Sequence, residues 1–231
     1  MIGFYNYTVY LTYFSLVVSG VGLYHAASGR PLVAVFCLMV SGLCDMFDGK
    51  IARTRRKSTE MERNFGIQLD SLSDIVCFGV LPAVIGKSFF DEFVRRKQID
   101  MPRPALTAGH VIVCSLGCLL ILCALIRLAY FNVTEEERQK NTDGCRTSYI
   151  GLPVTVGSLV FPLVYGLTYT LSLVLPDRVV LYFYALVMLI MAVCFVAPFS
   201  VRKPHGKALI FLSFVGVAEI AYLICVIKFM R

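Results

Sequence analysis

Residues 44–53 read CDMFDGKIAR and close an apolar run, PLVAVFCLMVSGL, that begins at Pro31. On a helix, Asp45, Asp48, Gly49 and Ala52 stand at i, i+3, i+4 and i+7, which is one face, and Arg53 follows at i+8 at the water end of the same stripe. The next apolar segment opens FGIQLDSLSDIVCFG, where Gly66, Asp70 and Asp74 fall at i, i+4 and i+8, again one face. Between them lies the polar stretch RTRRKSTEMERN. A turn there makes the two helices antiparallel, so two pairs of carboxylates face each other within a turn or two of the membrane surface.

The whole chain supports a bilayer setting. It has 231 residues, 58% of them hydrophobic and only 16% charged, and its mean hydropathy is +0.74. An ordinary soluble domain is about 45–50% apolar and about 25% charged. A helix needs about 20 apolar residues to cross the hydrocarbon core. Seven stretches suit that length, near 7–27, 32–52, 66–87, 107–131, 150–174, 179–199 and 208–228. The expected fold is all-α: a polytopic membrane helix bundle forming one transmembrane domain over residues 1–231.

The formal net charge of +7 follows from the enrichment of Lys and Arg in cytoplasmic loops. Nucleic acid is not an expected partner, because the basic residues gather on no soluble module. With the amino terminus in the cytoplasm, the connections after spans two, four and six carry twelve Lys and Arg, against nine on the other side. That bias predicts a cytoplasmic loop at 53–65, with the carboxyl terminus on the opposite side. Of the nine cysteines, all but Cys145 lie in apolar runs, and no C-x-x-C pair occurs. They read as small hydrophobes of helix packing rather than zinc or redox ligands. His25, His110 and His205 are scattered and form no ligand set. The start, MIGFYNYTVY, lacks a basic n-region and does not read as a cleaved signal.

Four clustered carboxylates repel one another and are costly beside lipid. Protonation or hard cations relieve that cost, and carboxylate oxygens suit Mg2+ or Mn2+. Two such ions can hold a pyrophosphate, neutralise its departing half and activate an attacking hydroxyl. Small residues at positions 49 and 52 let a flat ligand lie against the backbone, and Arg53 offers charge to phosphate oxygens. A single aspartate at a membrane boundary would be an ordinary helix-end residue. Four on two facing stripes, with Gly, Ala and Arg interleaved, call for a chemical role.

The pattern D-x-x-D-G-x-x-A-R followed by G-x-x-x-D-x-x-x-D, here residues 45–74 across spans two and three, resembles the signature of the CDP-alcohol phosphatidyltransferases. One spacing departs from it. Twelve residues, Thr54 to Phe65, separate Arg53 from Gly66, where the family usually has eight. The resemblance implies a six-helix membrane core, with one extra carboxyl-terminal span here, usually a homodimer with its site open to the cytoplasm. It also implies two divalent cations, Mg2+ or Mn2+, held by Asp45, Asp48 and Asp70, with Asp74 both contacting metal and acting as the catalytic base. Gly49, Ala52, Arg53 and Gly66 would take the CDP-lipid, helped by a loop hydroxyl, Thr59 or Ser58.

The general signature leaves the acceptor alcohol open. Three stretches lean towards L-serine, resembling the phosphatidylserine-forming branch: FGIQLDSLSDIVCFGVLPA at 65–83, LIRLAYFNV at 125–133 with Tyr130 in place of an arginine, and YIGLPV at 149–154. Arg127 and Asn132 in the second stretch are candidates for an acceptor or phosphate contact. An arginine in an apolar run needs a partner, whether the acidic cluster, a lipid phosphate, serine's carboxylate or the membrane surface. The Gly-Leu-Pro reads mainly as a device for starting a helix. The expected reaction joins CDP-diacylglycerol and L-serine in the plasma (inner) membrane of a bacterium or archaeon. Glycerol 3-phosphate or inositol phosphate as acceptor is the nearest alternative, and a cation transporter is the alternative from another class.

Overall fold

A computed structural model of the chain describes residue 3 and residues 9–52, 59–141, 148–202 and 207–229. Among these, α1 (Tyr10–Ala27) and α2 (Pro31–Ala52) form an antiparallel pair. The turn between them follows from the sequence Ser-Gly-Arg-Pro. Gly29 takes φ +73 and donates to Ala26 O, while Arg30 donates to His25 O, which closes α1 with the left-handed cap that glycine favours. Pro31 then starts α2, where its missing N–H costs nothing. The pair is fastened by small hydroxyls: Ser19 Oγ and Ser41 Oγ lie 2.8 Å apart, and Ser41 donates to Ser15 O at 3.2 Å. Such residues let membrane helices approach closely where lipid gives no hydrophobic drive.

α3 (Glu60–Asp74) runs through a π-helical turn, Ile75–Val80, into α4 (Leu81–Arg96) as one continuous rod. Pro82 stands at the start of α4. It has no N–H to donate and would crowd the preceding turn, and the wider turn just before it accommodates both defects. α5 (Arg103–Asn141) is 39 residues long. Both rods overrun the spans expected at 66–87 and 107–131. The excess at the amino end of the first and the carboxyl end of the second is polar, and it projects past the apolar segment.

A 3-10 turn, Val154–Val156, leads into α6 (Gly157–Leu171), followed by the short α7 (Asp177–Val180), α8 (Phe183–Val196) and α9 (Lys207–Phe229). Two three-residue strands, β1 (Ser148–Ile150) and β2 (Ser200–Arg202), pair antiparallel with Tyr149 opposite Val201. Strand alternation was not expected from the sequence. The ladder is too short to alter the all-α class, but it joins the connection before α6 to the one after α8 at one end of the bundle. At the other end, Lys97 pairs with Asp177 at 3.4 Å and Arg178 donates to Asp100 O at 3.1 Å.

Helices occupy all seven predicted places. Among the described residues, five stretches are long and apolar enough to cross a membrane: Pro31–Asp48, Glu60–Arg96, Arg103–Glu137, Val154–Leu171 and Asp177–Val196, with a shorter apolar one at Ser213–Val226. The outer faces are themselves apolar, with Leu122, Leu125 and Ile126 of α5 and Leu186, Ile190 and Val193 of α8 exposed. A surface of this kind is at home in lipid, and the chain is an integral membrane protein.

The core is aromatic. Phe89, Tyr184 and Phe161 stack in series, with centroids 5.6 and 5.4 Å apart, and Tyr165 and Tyr169 meet Phe89 edge-on. Beside them Glu92 of α4, 5% exposed, accepts from Tyr165 OH at 2.9 Å, Tyr169 OH at 3.1 Å and Arg96 Nε at 2.9 Å. This buried carboxylate is held by three donors, as burial in low dielectric demands. α9 lies on α6, where a Cβ at Gly166 would meet Tyr222 at 2.5 Å and Leu223 at 3.2 Å.

Candidate active site

The site begins with how α3 starts. Thr59 Oγ1 accepts from Glu62 N at 3.2 Å and Glu62 Oε2 accepts from Thr59 N at 2.9 Å, the reciprocal box that the Thr-Glu-Met-Glu sequence prescribes. From that fixed start the 3.6-residue period carries Asp70 and Asp74 to the face towards α2. α2 supplies Asp45 from the opposite direction. One carboxylate oxygen each from Asp45, Asp70 and Asp74 lie within 4.8 Å of one another. Asp48, one turn further along α2, is 9% exposed, and its charge acts on both Asp45 and Asp74. The facing stripes expected from spacing alone therefore meet.

Three hard oxygen donors converging at this distance, with a fourth carboxylate beside them, fit a divalent cation of the Mg2+ or Mn2+ kind. Without such charge the cluster is four mutually repelling groups at the end of a membrane segment. The donor set therefore matches an acidic metal site.

The cluster opens into a cavity of about 670 Å³. Its walls are α3 (Glu60, Arg63, Asn64, Ile67, Gln68, Ser71), α5 (Arg127, Leu128, Phe131, Asn132, Val133, Glu135, Glu136) and the segment Pro153–Thr155. Arg63, Asn64, Gln68, Glu135 and Glu136 were not singled out from the sequence. Part of their signal was present in the helical period, since Arg63 stands seven residues before Asp70 and Glu135 at i+8 from Arg127. Only the two helical overruns show that these positions belong to the site rather than to solvated loops.

Arg127 is 6% exposed. Its Nε donates to Leu152 O at 3.2 Å and its guanidinium sits 5.2 Å from the centre of the Phe131 ring. The Gly-Leu-Pro segment does start a helix, with Pro153 preceding the 3-10 turn, and it has a second use. Gly151, at φ +76, donates to Phe199 O at 2.7 Å. A Cβ at that position would meet Phe195 O at 2.9 Å and Arg127 Nε at 3.4 Å. A side chain there would disturb the turn that delivers the Leu152 carbonyl to the arginine. Asn132 Nδ2 donates to Ser71 Oγ at 2.8 Å, and Ser71 in turn donates to Ile67 O at 3.1 Å. That link ties α5 to α3 beside Asp70.

The other predicted residues fall as follows. Gly66 lies on α3, where an added Cβ would meet no atom within 4 Å. Thr59 is exposed and serves as the helix cap rather than as a cavity wall. Gly49 and Ala52 belong to the last turns of α2, but their side chains lie outside the described residues, as do Arg53 and Ser58 entirely.

The family model of the CDP-alcohol phosphatidyltransferases matches residues 5–228. The chain belongs to the CDP-alcohol phosphatidyltransferase family. Among curated proteins, it is 35% identical over 130 residues to a CDP-diacylglycerol–serine O-phosphatidyltransferase of Saccharomyces cerevisiae, covering 55% of this chain and 38% of that one. It is 30% identical over 148 residues to an archaetidylserine synthase of Methanothermobacter thermautotrophicus, covering 64% and 49% respectively. It is also 27% identical over 197 residues to a CDP-diacylglycerol–serine O-phosphatidyltransferase of Methanocaldococcus jannaschii, covering 82% and 77%. The chain thus spans about half or less of the length of the first two. The region matched by the family model includes the whole acidic cluster and both walls of the cavity.

Proposed function

We propose that this chain, as a single transmembrane catalytic domain, is a CDP-diacylglycerol–serine O-phosphatidyltransferase, forming phosphatidylserine and CMP. The observation that carries the reading is the convergence of Asp45, Asp70 and Asp74 in one cavity at the end of the bundle, in a chain of this family. Serine as acceptor is supported by the activities of the relatives named above and by the motifs at 65–83, 125–133 and 149–154. The relatives come from a yeast, bacteria and archaea, so they do not single out a bacterial or archaeal membrane. A homodimer is part of the proposal, as the family pattern implies, and so is a cavity facing the cytoplasm, supported by the basic residues between spans two and three.

Two divalent cations on Asp45, Asp48, Asp70 and Asp74 would offset the charge of the pyrophosphate and of the departing CMP. Asp74 accepts the proton of serine's hydroxyl. The freed oxygen forms a bond to the phosphorus carrying diacylglycerol, and the bond from that phosphorus to CMP breaks. Gly49, Ala52 and Gly66 would leave the backbone open to the nucleotide, and Arg53 would meet its phosphates, as the family pattern implies. Arg127 and Asn132 line the acceptor side. No nucleophilic side chain is paired with a base among the described residues of the cavity, which favours direct displacement.

The deciding assay offers purified protein CDP-diacylglycerol with serine, glycerol 3-phosphate or inositol phosphate, and follows CMP release. Serine should be used at least tenfold faster than either phosphorylated alcohol. Preference for one of those alcohols would overturn the acceptor. Asp74→Asn should lower turnover by at least a thousandfold while CDP-diacylglycerol still binds; full activity in that variant would remove Asp74 as base.

A further inference from the structure

The orientation of Arg127 is set from outside its own helix. Its Nε donates to Leu152 O at 3.2 Å, and its guanidinium lies against the Phe131 ring. A guanidinium held at Nε and against a ring keeps its planar fork in one orientation, which bidentate recognition of an oxyanion requires. The carbonyl that holds it is held in turn by the end of α8. That helix stops at Ala197, which is extended, with φ −69 and ψ 134, as a residue before a proline prefers. Pro198 has no N–H, so the Cys194 carbonyl four residues back loses its helical donor. Leu152 N takes that place at 3.2 Å. Phe199 N turns to Ala197 O at 2.9 Å, and Phe199 O accepts from Gly151 N at 2.7 Å. Phe195 O and Ala197 O close around Gly151, 2.9 and 3.5 Å from where a Cβ would stand. With φ +76 as well, the position admits glycine and little else.

We propose that Gly151 is a positioning residue of the reaction, whose clasp on the proline-broken end of α8 fixes Arg127 for an oxyanion of the reactants. The proposal rests on the phosphatidyltransferase reading above. The oxyanion is the carboxylate of serine or a phosphate of CDP-diacylglycerol, and both have the geometry that the fork matches. α8 gives no residue to the described walls of the cavity, yet through this clasp it governs a residue that does. A shift of about 1 Å at such a contact costs about a hundredfold in rate.

Gly151→Ala should lower kcat/KM at least tenfold, with the change concentrated in the KM of the substrate that carries the oxyanion. A rise for serine, with CDP-diacylglycerol moved less than twofold, assigns the carboxylate; the reverse assigns the phosphate. Pro198→Ala reaches the same contact without touching the glycine turn. It restores an N–H that competes with Leu152 for Cys194 O, so it should raise the same KM about threefold, and it carries the test if Gly151→Ala does not fold. Arg127→Lys keeps a charge but lacks the planar fork. In that background both substitutions should change kcat/KM less than twofold, because the group they act through is gone. Undiminished losses in the Arg127→Lys background, or a fall in kcat with both KM values unchanged, would overturn the positioning role and leave the clasp purely structural. A wild-type protein that releases no CMP from CDP-diacylglycerol with any of the three alcohols overturns the phosphatidyltransferase reading itself, a result seen before any variant is made.

Discussion

Gly66 shows how much one residue can separate folding from function. It sits inside α3, where glycine costs about 1 kcal/mol relative to alanine, and an added methyl group would meet no atom of another described element within 4 Å. Among the described residues packing gives no reason for the glycine; the proposed nucleotide contact would supply one. Gly66→Ala should therefore raise the thermal midpoint in detergent, by about 1 kcal/mol of stability, while raising KM for CDP-diacylglycerol several-fold. A stabilised variant with unchanged KM would take Gly66 out of the nucleotide contact. Glu92 illustrates the opposite case, a charged residue whose work is structural. Glu92→Ala leaves Tyr165 and Tyr169 without their buried acceptor, and the expected loss is about 3 kcal/mol. Differential scanning fluorimetry should show it, with Glu92→Gln falling in between because the amide oxygen can still accept.

At the scale of helices, the site depends on one crossing. Gly42 lies one turn before Asp45, and a Cβ placed there would collide with the side chain of Ser158 on α6. The close approach of α2 to α6 thus sets how far Asp45 reaches towards Asp70 and Asp74. Gly42→Ala should destabilise by about 1–3 kcal/mol, as overpacking does, and should lower turnover by shifting Asp45. Adding Ser158→Gly removes the colliding atoms and should restore most of both. Failure of the double variant to recover activity would show that the crossing does not position the carboxylate. The π turn after Asp74 belongs to the same scale. It lets one rod carry both the acidic face of α3 and the Pro82 start of α4.

At the scale of the molecule, the bundle has a chemical end and a structural end. The acidic cavity and the β1–β2 ladder lie at one, and the Lys97–Asp177 and Arg178–Asp100 links lie at the other. An end built from hard oxygen donors should fail without a cation. Chelation by EDTA should abolish CMP release, and Mg2+ or Mn2+ should restore it. Direct Mn2+ binding, read by electron paramagnetic resonance, should weaken at least a hundredfold in Asp45→Asn. Undiminished activity after exhaustive chelation would rule out the proposed cofactors.

The seven helical places and the pairing of two acidic stripes follow from the order of residues alone. Apolar length sets the spans, and the 3.6-residue period puts Asp45 with Asp48 and Asp70 with Asp74. The Thr-x-x-Glu box before α3 and the Ser-Gly-Arg-Pro turn before α2 are local signals of the same kind. Other features needed contacts between distant parts of the chain. Nothing near Arg127 announces that its partner is the Leu152 carbonyl, delivered by a glycine turn pinned to Phe199. The sequence places Glu135 and Arg63 in polar stretches outside the spans, and only the overrun of two adjacent rods turns those stretches into walls of one cavity. Local sequence determines which face a residue takes, because backbone geometry is periodic. Which faces meet is decided by packing between helices far apart in the chain, where small residues such as Gly42 set the distance.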